Sequence, residues 1–545
     1  MADEDAAFPT LNTAEMAALD AIGTRRRITR GEFLYRAGDV RYDFFVVVAG
    51  EVEAFVSDNG ADRVVARHGP GRFLGELNLL TGLRVFVTTR VVESGEVIVV
   101  PVAALRHLLA TRPELSDKIL AAFIARRAVL MSEAAPSLRV IGSRFSPESA
   151  QIREYLARSG IPHEWLDVDR EPSIDATLRE LGVTVDDLPV VIASNTVLRH
   201  PSVGELAHHL GLTLESLPDR CFDLVVVGGG PAGLAAALYG ASEGLRTLGV
   251  DSLTVGGQAG ASSRIENYLG FPLGISGREL TQRALIQAEK FGANLTAPCT
   301  VAGLREQAGH LVVSLEDGSD VAGRAVIVAS GARYRRLDAS GLDDFEASDV
   351  HYAATDAEAR EYTDTPVIVV GGGNSAGQAA LFLAQSCPVT VVIRGSDLGA
   401  SMSSYLVDRI HSDDRISVLT DTRVSALEGD SRLATVRVDS PTGESSLPCA
   451  ALFSFIGAEP NSEWLADCAA LDDRGFVLTD RSLTDDLLDE HWATIGRQPL
   501  PFETSHPGLF AVGDVRSGST KRVATAVGEG SAAVRSVHEY LAFSE

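Results

Sequence analysis

The sequence predicts a multidomain chain: an all-β roll in front, a small α/β unit behind it, and a large α/β unit with two dinucleotide-binding folds. Three observations carry this. Short alternating strands punctuated by Gly38, Gly50, Gly60, Gly71 and Gly82 fill the region before residue 135. A βαβαββα alternation then runs over 137–216. Beyond it, two glycine loops each follow an apolar run: GGGPAG at 228–233 after 224–227, and GGGNSAG at 371–377 after 367–370.

At 545 residues the chain has room for three or four domains. The net charge of −26 argues against a broad nucleic-acid surface. The five cysteines make no CxxC pair and no zinc-type spacing, so no metal site is expected. The opening MADEDAAFPT is acidic and lacks the basic start of a signal peptide. The apolar stretch 224–241 reads as strand, turn and helix because of its glycines and Pro231, not as a membrane span. A cytoplasmic protein with no membrane contact is expected.

The first unit covers 1–135. RGEFLYRAGD, FFVVVAGEVEAFV and GEVIVVPVAALRHLL read as strands and turns, followed by a helix from Pro113 to about Met131. GRFLGELNLLTGLRVFVTTRV resembles the phosphate-binding cassette of cyclic-nucleotide-binding domains. That resemblance implies a cyclic nucleotide ligand, with Gly75 and Glu76 on its ribose and Arg84 on its phosphate. The copy departs from the pattern: the loop from Glu76 to Arg84 is one residue short, Leu83 stands where proline is usual, and Val85 and Phe86 replace small residues. A roll kept only for docking or dimerisation stays open beside the ligand reading. No helix-turn-helix follows, which sets aside a transcription factor.

The second unit, 137–216, resembles the thioredoxin and glutaredoxin fold. Pro189 falls where that family keeps a cis proline. Where a glutaredoxin carries CPxC, this chain has Ser146-Pro147-Glu148-Ser149. Serine forms no thiolate near neutral pH, so thiol exchange has no nucleophile here. Ser146 reads instead as a helix N-cap, with Gly160 closing the helix. A docking or spacer role is expected, with a retained groove for a peptide or thiol ligand as the alternative.

The third unit runs over 220–346 and 456–545, with a second dinucleotide-binding domain expected as an insertion at 347–455. Gly228 permits the tight turn, Gly230 the approach of a pyrophosphate, and Gly233 close packing of helix on strand, while Pro231 and Ala232 open the helix. Asp251 ends the second strand, in place for a ribose hydroxyl. From here on the chain resembles the low-molecular-weight thioredoxin reductases. By that resemblance Gly257, Gln258 and Asn267 face the flavin, Gly331 closes the first FAD segment, Gly513 and Asp514 meet the ribitol, and Arg522, Val523 and Ala524 line the pyrimidine edge. In the inserted domain Gly371 and Gly373 hold the turn, Ala376 takes the third small position, and Asn374 and Ser375 are expected to cap the helix. Arg394 remains of the family's two adjacent arginines, with Gly395 beside it, so NADPH is preferred and NADH is the alternative.

In thioredoxin reductases CATCD precedes the inserted domain. This chain has Ala353-Ala354-Thr355-Asp356. No dithiol then faces the flavin, and electrons must leave it for an external acceptor, protein or small molecule, that the sequence does not name. Asp356 is the candidate catalytic residue, as a proton donor beside the flavin. The whole arrangement resembles bacterial FAD-dependent oxidoreductases with an N-terminal cyclic-nucleotide domain; a homodimer is expected by that resemblance alone. Two other readings stay open: a non-catalytic nucleotide and flavin redox sensor, and a disulfide reductase using a partner's thiols.

Overall fold

The computed structural model describes residues 4–543, except 40–41, 59–60, 77, 82–83, 135–137, 160, 162, 171–173, 194–195, 211, 214–220, 263, 347, 355, 431 and 489. The expectations for Leu83, Thr355 and Gly160, and the boundaries at 137, 216, 220 and 347, lie outside the described residues.

The front of the chain is an antiparallel roll in the order Thr24–Ile28, Thr88–Val100, Phe44–Asp58, Ala61–His68. Alternating apolar residues turn Phe44, Val46, Ile98 and Val100 to one face, where Phe73 and Phe123 complete an aromatic core. The stretch Val102–Thr111, read from sequence as strand and turn, is helical. Its Leu105, Leu108 and Leu109 fall on one face at helical spacing and are buried against the roll. Ile286, from the distant helix Gly277–Lys290, belongs to this same core. The roll therefore shares its interior with the third unit.

The middle sheet runs Thr196–Arg199, Val190–Ala193, Leu138–Gly142, Glu164–Asp167. Leu138–Gly142 pairs in parallel with Glu164–Asp167 and antiparallel with Val190–Ala193. The Leu188–Pro189 bond is cis, as expected. Helices Pro147–Arg158 and Val203–His209 cover one face and Ile174–Glu180 the other. Leu253, from the third unit, packs into the first of these two layers.

The third unit holds a mixed sheet with a parallel core, a wholly parallel sheet and a small antiparallel one. In the first, Asn294–Thr296, Thr247–Val250, Cys221–Val227, Asp320–Val328 and Leu509–Ala511 are parallel neighbours. In the second the order is Val350–His351, Ala451–Ser454, Val367–Val370, Val389–Val392, Ile416–Leu419. Both are near-continuous Val, Ile and Leu runs, as strands buried on both faces require. The two crossings between the sheets pair with each other as Ala332–Tyr334 against Ala458–Pro460. Ser330 and Asn461 exchange two further bonds there, from Ser330 Oγ to the Asn461 carbonyl (2.6 Å) and from Asn461 Nδ2 to the Ser330 carbonyl (3.0 Å). Among the described residues no helix is long and apolar enough to cross a membrane.

Candidate functional site

Each set of parallel strands ends in a glycine turn from which a helix starts, where open α/β sheets bind ligands. At the first, Gly228 has φ +110°, and a Cβ there would meet the Ala329 carbonyl at 2.2 Å. A Cβ on Gly233 would sit 1.8 Å from the Gly228 carbonyl. Gly230 is the N-cap of Pro231–Ser242 and supplies no side chain to the first-turn amides, so a phosphate can take them. Asp251 spends both oxygens on backbone: Oδ2 accepts from Gly229 N (2.7 Å), Oδ1 from Leu253 N and Thr254 N (3.0 Å each). It holds the loop 251–257 against the glycine turn, with lone pairs left for a ribose hydroxyl.

Around this cradle Gln258 Nε2 donates to the Ala332 carbonyl, and Asn267 is exposed on the neighbouring loop. Gly331 takes φ +69°, and its carbonyl accepts from Asn461 N at 3.0 Å. Gly513 packs against Ala232, where an added Cβ would come within 2.9 Å of the Ala232 Cβ. Asp514 is half-buried, and burial raises its carboxyl. Arg522 is exposed just ahead of helix Val523–Phe543, which starts at Val523 and Ala524. Sequence reasoning missed Glu529 on this helix. It accepts from Gly513 N (2.7 Å) and pairs with Arg516 (2.7 Å), fixing the turn that presents Asp514. Its signal, a lone acid between Gly528 and Gly530, is weak without the fold.

The second cradle repeats the first. Gly371 has φ +140°, and a Cβ would meet the Phe455 carbonyl at 2.4 Å. Ala376 is fully buried under the turn. The expected capping by Asn374 and Ser375 is corrected: Gly373 is the N-cap, with no side-chain cap bond. Asn374 Oδ1 instead accepts from Ser403 N (2.7 Å), and Ser401 Oγ donates to the Gly372 carbonyl (2.8 Å). Both bonds tie the loop 395–403 down over the turn. Arg394 is exposed at the end of Val389–Val392, and Asp397 is spent on Gly399 N (3.0 Å).

Residues 222–530 match the model of the pyridine nucleotide-disulphide oxidoreductases. The chain belongs to that family. It is thus an NAD(P)H-dependent flavoprotein oxidoreductase by class, and residues 25–112 match the cyclic nucleotide-binding domain. Thioredoxin reductase of Treponema pallidum is 32% identical over 324 residues, 59% of this chain and 97% of that protein. Thioredoxin reductase of Listeria monocytogenes is 30% identical over 329 residues, covering 59% and 95%. The crystal structure of Lactococcus lactis thioredoxin reductase in its FR conformation superposes with a TM-score of 0.53 at 28% identity, over 59% of this chain and 99% of that one. In each case the relative is matched almost whole by just over half of this oxidoreductase.

In this member, Ala354 is buried and helix Asp356–Glu361 begins directly after the Ala353–Thr355 segment. All five cysteines are free. Cys387 is buried beyond the end of helix Asn374–Leu383, its Sγ donating to the Tyr362 carbonyl (3.2 Å). Burial pushes the Cys449 thiol up to about 12 and Cys299 to about 11, so neither is a thiolate near neutral pH. Close by, Glu361 is approached by Arg432 (3.4 Å) and by Arg144 and Arg170 of the middle unit (3.9 and 3.8 Å). Arg144 stands two residues ahead of Ser146, whose Oγ caps its helix by accepting from Ser149 N (3.0 Å). The end of the middle unit that carries Ser146 thus faces the helix that follows Ala353-Ala354-Thr355.

In the roll, Glu76 is buried and accepts from Phe86 N (2.8 Å), and burial pushes it up to about 7. The Gly75 carbonyl accepts from Arg126 (2.6 Å), and the Arg84 carbonyl accepts from Asn78 Nδ2 (2.6 Å). Arg126 also donates to the Ala7 and Phe73 carbonyls (2.8 and 3.1 Å) and lies over the Phe8 ring. These two side chains leave a cavity of about 30 Å³ beside Tyr35, His68 and Glu76. That holds a water or two and not a nucleotide. His68 Nδ1, buried on its wall, has no hydrogen-bond partner among the described residues. The cavity lining is mainly apolar, and Arg126 and Phe8 stand where a larger ligand would have to enter.

Proposed function

We propose that this chain binds FAD in the first cradle and NADPH, or NADH, in the second, and passes electrons to an external acceptor without a dithiol of its own. Bound FAD would take a hydride from the nicotinamide and deliver its two electrons outward. The observation that carries the reading is the pair of glycine cradles joined by the paired crossings Ala332–Tyr334 and Ala458–Pro460, combined with Ala353-Ala354-Thr355-Asp356 in place of two cysteines.

The chain's own residues divide the work. The open first-turn amides after Gly230 and Gly373 hold the two pyrophosphates. Gln258 and Asn267 line the flavin's polar edge, and Arg522, Val523 and Ala524 its pyrimidine side, where the helix N-terminus favours negative charge. Arg394 holds the 2′-phosphate that separates NADPH from NADH. Asp356 moves the proton that accompanies acceptor reduction. In the roll, a cyclic nucleotide on Gly75, Glu76 and Arg84 displaces Arg126, and it regulates turnover only insofar as it binds the two arrangements of the roll unequally. A cytoplasmic homodimer is the setting proposed for this chemistry.

The test is anaerobic mixing of FAD-loaded protein with NADPH and, separately, NADH. Flavin bleaching within seconds by one nucleotide supports the reading and names the coenzyme; no bleaching with either overturns it.

A further inference from the structure

The thioredoxin-like unit touches the reductase at the loop that frames the first cradle. Arg158, the last residue of helix Pro147–Arg158, sends Nη2 to the Gly257 carbonyl at 2.6 Å. Its other nitrogen, Nη1, pairs with Glu154 one turn back at 2.9 Å. The side chain is only 19% exposed. Gly257 abuts the phosphate turn: a Cβ added to it would come within 2.7 Å of the Gly230 Cα. Gly230 in turn is the N-cap whose helix offers its open amides. The guanidinium is therefore separated from those amides by one glycine. Burial raises the Asp251 carboxyl and the Tyr334 hydroxyl, and the Arg158 charge pulls both back. It thus lies within electrostatic reach of the ribose-side acid and of the strand leaving the flavin side.

A second contact holds the same loop. Leu253, two residues after Asp251, packs into the apolar layer of the thioredoxin-like unit with Ile152, Tyr155 and Leu156. Asp251 fastens Leu253 N and Thr254 N from the other side. The loop 251–257 is thus pinned between two units at both of its ends.

We propose that Arg158 is a flavin-dinucleotide-binding residue, supplied by the cysteine-less thioredoxin-like unit to the diphosphate of FAD. It brings a guanidinium, held on its far side by Glu154, to a turn whose helix start offers open amides. A guanidinium suits a diphosphate, whose oxygens it can meet in pairs. The unit that carries no CxxC motif then serves as a wall of the cofactor site. This inference rests on the FAD reading above.

The experiment titrates FAD into the full-length apo-protein and follows flavin fluorescence at low and high salt. Arg158→Ala, Arg158→Gln and Arg158→Lys are compared with the wild type and with Arg283→Ala, an exposed arginine on helix Gly277–Lys290. Melting of each apo-protein is recorded alongside. Arg158→Ala and Arg158→Gln are expected to weaken FAD binding by about tenfold or more and to flatten its salt dependence. Arg158→Lys should recover part of both, and Arg283→Ala should match the wild type. Unchanged affinity in Arg158→Ala overturns the proposal. So does full recovery by Arg158→Gln, because an uncharged donor to the Gly257 carbonyl would then suffice. Wild-type protein that takes up no FAD at all would instead overturn the flavoprotein reading.

Discussion

Glu529 Oε2 accepts the amide of Gly513 at 2.7 Å while Oε1 pairs with Arg516. One buried carboxylate thereby sets the turn that carries Asp514. Glu529→Ala strands a largely buried arginine, at a cost of about 3 kcal/mol. The melting temperature of the apo-protein should fall accordingly and FAD affinity with it. Glu529→Gln keeps an acceptor for Gly513 and loses only the ion pair, so its loss should be smaller. Equal melting of the alanine variant and wild type would show that this acid is dispensable.

The glycines of the two cradles differ in what surrounds them. At Gly233 an added methyl meets backbone oxygen at 1.8 Å, which nothing nearby can relieve. Gly233→Ala should yield protein without bound flavin, seen as loss of its visible absorbance. At Gly377 the same methyl meets the Met402 sulfur at 2.7 Å, the end of a flexible side chain. Gly377→Ala should retain NAD(P)H binding within about tenfold of wild type.

Glu289 is buried between the roll and the third unit, with Oε2 unpartnered among the described residues. Burial raises its carboxyl to about 8, opposed by Arg127 and Arg106 from helices Pro113–Ala134 and Val102–Thr111. The folded protein therefore holds this proton more tightly than the unfolded chain, whose carboxyl titrates near 4.5. Stability from this group is full below that value and is lost as pH rises towards about 8. Glu289→Gln should remove that loss, a gain on the order of a few kcal/mol at pH 8.5 and little at pH 4.5. Thermal melts across this range check it; parallel curves for the two proteins would contradict it.

Asp356→Asn should slow acceptor reduction by about 10²-fold. Reduction of the flavin by NAD(P)H, read separately by stopped-flow absorbance, should be unaffected. Unchanged turnover with a screened acceptor would remove Asp356 from proton transfer.

What the sequence disclosed was local. Both glycine turns were legible because a tight turn, a phosphate and a close helix demand glycine within a few residues of an apolar strand. Ser146 was legible as a cap for the same reason. The helix Val102–Thr111 was misread because Val99, Val100 and Val102 continue the β-branched run of the strand before it. Asn374 was assigned the wrong partner because Ser403 lies beyond a whole strand and loop. Arg158 and Gly257 stand 99 positions apart, and no periodicity connects a helix end in one unit to a carbonyl in another. Long-range polar contacts of this kind leave no pattern in a single sequence.

Ile286 lies in the core of the roll although it belongs to helix Gly277–Lys290 of the third unit. Cutting the chain after the thioredoxin-like unit would leave that helix with a bare apolar face and a stripped acid, Glu289, beside it. The reductase half would enter solution bearing the scar of the separation, and self-association is the ordinary fate of such a patch. A chain joined in this way does not divide into independent pieces, so the roll and the oxidoreductase half have to be purified and engineered together.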